Sequence, residues 1–301
     1  MKQQRIFLLI PVIFAAFLSG CGNITRDGDR VDRSDETETF SGVDDLGESI
    51  SVFYLFPSPV EILEKFENTE IGFVPDLVNA PEHEEKYLTS RSKALNLGIY
   101  ITDLAYTSML GRTSLALKYP DVIQSLSADL GISNESFKLL IRRIQDNISV
   151  KDSLVQVAND LYFEMVEYLE SGGQTRTIAE ISSGAYIESL FIGMNSVSVY
   201  SDDHPVVKEI IDMKYPFENL LAQAETADDE ESENILIEYL NQVKDIFDEL
   251  EPEESQTEII RNEDGEIEIS GGISFKMDEK SFLEMKDRIF QIRKKITDTP
   301  D

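Results

Sequence analysis

The chain has 301 residues, with 58 Asp and Glu against 27 Lys and Arg, a net charge of −31, two histidines, one cysteine and no tryptophan. That balance excludes a nucleic-acid-binding surface, which needs clustered Lys and Arg, and sets the surface against anionic headgroups. One cysteine excludes an internal disulfide. His83 and His204 fall in neither an H-E-x-x-H nor a Glu-x-x-His pattern, so the imidazole-based metal and nucleophile chemistries have little to work with. No cofactor and no metal site is expected.

In chain order, Lys2 and Arg5 precede an uncharged, mostly apolar stretch, Ile6 to Phe17, of twelve residues. A membrane-spanning helix needs about 20 residues for a core of about 30 Å, so this reads as a secretory signal. Leu18-Ser19-Gly20-Cys21 resembles the bacterial lipobox. The resemblance implies cleavage after residue 20 and diacylglyceryl attachment to the Cys21 thiol. Two or three acyl chains of the palmitate kind hold a protein stably where one does not. Gly22 in place of Asp points to the outer membrane by the enterobacterial rule, with the periplasmic or surface face left open. Residues 21–51 are the lipidated Cys and an acidic tether without helical periodicity. Residues 52–301 form a single folded domain.

Within that domain Ser58-Pro59-Val60-Glu61 is a capping box that starts a short helix. A long helix is expected over about 82–110, ended by Gly111. Others start at Pro120-Asp121 (closed by Gly131), at Ser133-Asn134-Glu135 and at Ser149-Val150-Lys151-Asp152. Helices follow at about 175–199, 205–224 and 231–250, and Asp278 caps the last. Phe282, Met285, Ile289, Ile292 and Ile296 recur every three or four residues, a one-face helical pattern, and so do Leu236, Tyr239, Val243, Ile246 and Leu250. The exception lies near 256–275, where Thr257–Arg261 and Glu266–Ile269 flank Asn262-Glu263-Asp264-Gly265 and read as one β-hairpin. Acidic segments 228–233 and 249–254 read as solvated loops or helix ends. The fold class is all-α: an antiparallel multi-helix bundle with one small hairpin excursion.

Two segments echo each other. Gly98-Ile99-Tyr100-Ile101-Thr102-Asp103-Leu104 and Gly184-Ala185-Tyr186-Ile187-Glu188-Ser189-Leu190 match in Gly, Tyr, Ile and Leu at an offset of 86 residues. Two such helices can pack across a local two-fold with the glycines at the contact. In the first, Asn96, Tyr100, Asp103 and Thr107 form a polar stripe. If it faces inward, Asp103 must be paired, and so must Glu188. Lys93, Lys151, Arg142, Arg143 and Arg176 are the candidate counter-charges. The stripe is either a pocket between helices, with Asn96, Tyr100, Asp103, Tyr186 and Glu188 as its lining, or a hydrogen-bond network that specifies packing.

Phe56-Pro57-Ser58-Pro59-Val60-Glu61, the run Lys93 to Tyr106, Leu130-Gly131-Ile132, Asn147 with Lys151-Asp152-Ser153-Leu154, and Gly184 to Glu188 together resemble a group of uncharacterised Bacteroidota lipoproteins, over about residues 53–200. Trp is usual there where Tyr186 stands. The resemblance implies a lipoprotein with a helical fold and adds no chemistry. The expectation is therefore a membrane-tethered, non-enzymatic module that binds an envelope protein partner. The alternatives are a small-molecule-binding lipoprotein using the polar pocket, and a hydrolase using the two acids as a carboxylate pair.

Overall fold

The computed structural model describes residues 57–67, 69, 71–132, 135–146, 151–227, 234–261 and 267–298. The signal, Cys21 and the tether lie outside these residues, as do Ser133-Asn134, Ser149-Val150, the acidic run 228–233 and the hairpin turn. The described residues belong to one compact unit, Ile50–Asp301.

Two helices make its axis, α2 (Ser90–Met109) and α7 (Thr175–Ser196). Every residue of α2 from Ala94 to Met109 is buried, and every residue of α7 from Ile178 to Met194. Over these spans both helices are thus enclosed on all sides, the polar residues of α2 included. The echo explains how the two meet. A Cβ on Gly98 would stand 2.0 Å from the carbonyl oxygen of Ile181, and a Cβ on Gly184 would stand 1.9 Å from that of Leu95. Each glycine thus faces the residue three before the other, which is the reciprocity a local two-fold requires. At one end of this contact Glu180 of α7, buried, takes Arg91 of α2 at 3.2 Å and Arg176 at 3.6 Å.

The other helices wrap this pair. α1 (Pro59–Glu67), α4 (Tyr119–Asp129) and α6 (Lys151–Ser171) lie on α2; α8 (Pro205–Asp212), α9 (Lys214–Thr226) and α11 (Glu279–Asp298) lie on α7. α5 (Glu135–Asp146) packs on α6, α10 (Ile235–Asp248) joins α9 to α11, and α3 (Thr113–Ala116) is a single turn. The capping box at Ser58 is formed in both directions, with Glu61 N–H to Ser58 Oγ at 3.1 Å and Ser58 N–H to Glu61 Oε2 at 2.7 Å. Asp278 caps α11 through the Ser281 N–H at 2.7 Å. The expected stripes of α10 and α11 are buried throughout. Gly111 and Gly131 end their helices at φ 65° and 79°.

Three boundaries differ from expectation. The helix expected from 82 begins only at Ser90, where the Thr89 side chain accepts the Ser92 N–H; Pro81–Lys86 forms a separate 3-10 segment, after another at Pro75–Leu77. The helix expected over 205–224 breaks into α8 and α9 at Met213. Pro216 has no N–H and its ring crowds the carbonyl four residues earlier, at Asp212. The hairpin is longer than expected, with β1 (Glu251–Arg261) antiparallel to β2 (Ile267–Lys276). Glu251–Glu254, expected in a loop or helix end, is strand opposite Ile273–Lys276, and Lys276 meets Glu253 at 2.9 Å.

Candidate functional site

The polar stripe of α2 faces inward. Asn96, Tyr100, Asp103 and Thr107 are fully buried, and so is Glu188 on the neighbouring α7. Burial of two carboxylates demands a counter-charge, and it comes from α11. Arg293 Nε donates to Glu188 Oε2 at 2.5 Å and Nη2 to Oε1 at 2.8 Å, a two-pronged pair. The same Nη2 donates to the Leu77 carbonyl at 2.7 Å, and the guanidinium lies 4.2 Å from the centre of the Phe191 ring.

None of the expected counter-charges whose side chains are described serves this pair. Lys93 meets Asp129, Arg143 meets Asp160, Arg176 meets Glu180, and Arg142 is exposed; the side chain of Lys151 lies outside the described ones. Arg293 lies 105 residues beyond Glu188. The available signal was its place on α11, four after Ile289 and three before Ile296, at the border of the buried stripe.

Asp103 has no cation of its own. The Asn79 N–H donates to its Oδ2 at 2.8 Å, and its Oδ1, buried, has no hydrogen-bond partner. Burial first, and then the Glu188 charge, push Asp103 well above the ordinary carboxyl value, against the pull of Arg293. Both effects favour the neutral, protonated form of Asp103. Burial works to lower Arg293, but the charge and hydrogen bonds of Glu188 outweigh it and raise the guanidinium above its ordinary value. The cluster thus sets the Glu188–Arg293 ion pair beside an acid whose neutral form burial favours.

Around it the side chains of α2 grip the irregular segment 72–80. Tyr106 OH donates to the Gly72 carbonyl and accepts the Val74 N–H, both at 3.0 Å. Asp103 takes the Asn79 N–H, and Tyr100 OH donates to the Ala80 carbonyl at 2.9 Å. These three recur every third residue on one helix face. Tyr119 OH reaches the Asn79 carbonyl at 3.4 Å, and the Asn79 side chain joins Tyr87 OH at 2.9 Å and His83 Nδ1 at 3.0 Å. Buried backbone polar groups need partners, and here side chains supply them. Burial raises the phenols of Tyr87, Tyr100, Tyr106 and Tyr119, so all four stay protonated donors.

Of the five lining residues expected, the structure brings Asp103, Glu188 and Tyr100 into one buried cluster. Asn96 binds the carbonyls of Ser92 and Ile296, both at 2.9 Å, and its Oδ1 has no donor. Tyr186 serves another junction. Its hydroxyl donates to the Met213 carbonyl at 2.8 Å, where α8 meets α9, and its ring packs on Phe217. Sequence reasoning missed Asn79, Tyr87, Tyr106, Tyr119 and Arg293. Besides Arg293, only Tyr106 had a local signal, three residues after Asp103. Among the described residues no group of three or more His, Cys, Asp or Glu is placed to hold a metal, and no helix is long and apolar enough to cross a membrane.

Chemically, a neutral acid beside a carboxylate has the composition of an acid/base pair. Here each carboxylate oxygen of Glu188 is taken by Arg293, and Asp103 accepts the Asn79 N–H. Structural ion-pair networks shift pKa values as active sites do. No protein-family model, no curated protein and no solved structure matches this chain.

Proposed function

We propose that the chain is a lipid-anchored module of the bacterial cell envelope whose helical domain binds a protein partner without catalysing a reaction. The observation that carries the reading is the use made of the polar stripe. Tyr100, Asp103 and Tyr106 hold segment 72–80, and Glu188 holds Arg293. Side chains engaged in this way specify a packing arrangement and are not left for a substrate. The lipobox-like Leu18-Ser19-Gly20-Cys21, the outer-membrane address and the resemblance to Bacteroidota lipoproteins belong to the same reading. So does the acidic tether, which separates the domain from the membrane.

Two experiments test it. Expressed in a bacterium fed labelled palmitate, the full chain incorporates label and partitions into detergent, whereas Cys21→Ser does neither; label retained by Cys21→Ser sinks the anchor. A thermal-shift screen of the full chain against small molecules is expected to give no shift that depends on the cluster. A ligand whose stabilisation vanishes in Asp103→Asn, with the fold intact, would replace partner binding by small-molecule binding.

A further inference from the structure

The ribbon formed by β1 and β2 stands apart from the bundle. Its strands pack chiefly on each other, and α9 meets its base, where Tyr215 and Lys214 lie against Phe275. Among the described residues the sheet has only these two strands, so each has one unpaired edge. A two-stranded ribbon is marginal by itself in water, and a long open edge pairs with other chains unless it is guarded.

The two edges are guarded unequally. β1 carries Pro252, which has no N–H, the acids Glu251, Glu253 and Glu254, and a bulge between Ser255 and Glu258. β2, Ile267-Glu268-Ile269-Ser270-Gly271-Gly272-Ile273-Ser274-Phe275-Lys276, has neither proline nor bulge. Its odd-numbered positions are Ile267, Ile269, Gly271, Ile273 and Phe275; its even ones are Glu268, Ser270, Gly272, Ser274 and Lys276. β2 is also complementary to itself. Laid antiparallel on a second β2 about a two-fold at Gly272, it sets Glu268 opposite Lys276 twice, Ser270 opposite Ser274, and Ile269 opposite Phe275. A slip of one residue would oppose Glu268 to Phe275 and Ile267 to Lys276, so the pattern excludes odd slips of register.

We propose that this chain forms a two-fold dimer through edge-to-edge pairing of β2 with β2, which joins the two ribbons into one four-stranded antiparallel sheet. The contact is isologous, with the same patch on both copies. Each chain carries −31, but at physiological ionic strength charges farther apart than about 8 Å are screened. The charges that matter are those at the seam, and there the two signs alternate. The dimer stands independently of any envelope partner, because its test reads the chain against itself.

The test uses the full chain carrying Cys21→Ser, in sedimentation velocity over a concentration series at physiological salt. A reversible dimer is expected. Glu268→Lys and Lys276→Glu each place like charges opposite one another twice per dimer and weaken it about tenfold or more. The combined exchange restores it. Far-UV circular dichroism checks that each variant keeps its helices. Lys276 also meets Glu253 within its own chain, so an independent measurement accompanies the exchange: Gly272→Cys, at the two-fold, is expected to form an inter-chain disulfide under mild oxidation. A chain monomeric throughout the series overturns the proposal and leaves the β2 edge to a foreign strand. A dimer unmoved by the single exchanges, a combined exchange that stays monomeric, or no cross-link at Gly272→Cys in a dimer overturns it as well.

Discussion

Replacing Arg293 by Met would leave the Glu188 carboxylate buried with its counter-charge gone. Breaking a buried pair from one side costs about 3–5 kcal/mol, and Arg293→Met is expected to lose that much in urea unfolding. Glu188→Gln strands the guanidinium and is expected to lose a similar amount. Asp103→Asn should behave differently, because burial favours the neutral form of the acid it replaces. The amide still accepts the Asn79 N–H, so the loss is expected to stay within about 1 kcal/mol. A severe loss in Asp103→Asn would mean that Asp103 is held as a carboxylate. The pH dependence follows from the same proton. Asp103 is raised above its ordinary value of 3.8 on folding, so the folded state binds the proton more tightly than the unfolded chain. The stability this contributes is complete below the unfolded value and is lost as pH rises through the folded one, by up to about 1.4 kcal/mol per pH unit. Subtracting the Asp103→Asn profile from that of the unsubstituted chain, from acid to mildly alkaline pH, isolates the slope from the other acids. A flat difference would mean that folding does not raise Asp103. Asp103 and Glu188 were legible in the sequence as acids set among apolar residues. Arg293 was not, because pairing across 105 residues is decided by how α11 lies on α7, and no local spacing encodes that.

At the scale of elements, the reciprocal contact of Gly98 and Gly184 governs how closely α2 and α7 approach. A methyl group at either position meets backbone of the other helix at about 2 Å, and backbone cannot rotate away as a side chain can. Gly98→Ala and Gly184→Ala are each expected to cost about 3 kcal/mol, a fall in Tm of about 6–12 °C for a domain of this size, read by calorimetry. An unchanged Tm in either would show the helices to be farther apart. This contact was legible, because the echo placed both glycines at matching positions. The break between α8 and α9 had a visible cause in Pro216, yet the apolar periodicity runs across it and hides the change of direction. The late start of α2 was hidden because Glu82–Lys86 has helix-forming residues. What holds that stretch apart is its tie to α2 and α11 through Asn79 and Tyr87, which are tertiary contacts.

Over the whole molecule, the negative charge opposes compaction. Most described ion pairs are at least partly exposed, as Lys208 with Asp203 and Lys138 with Glu135 are, and exposed pairs contribute little. The net self-repulsion outweighs them, so adding salt from low ionic strength is expected to raise Tm by a few degrees. A Tm that falls with salt would give the surface pairs more weight than their exposure allows. Segment 72–80 has a further consequence. Irregular segments at a surface ordinarily exchange their amide hydrogens with solvent quickly, since water is their partner. The Val74 and Asn79 amides instead donate to Tyr106 and Asp103 on the most enclosed helix of the domain. In deuterium these two hydrogens should persist as long as those of α2 itself. The stretch with the least regular backbone would then open only when the bundle does.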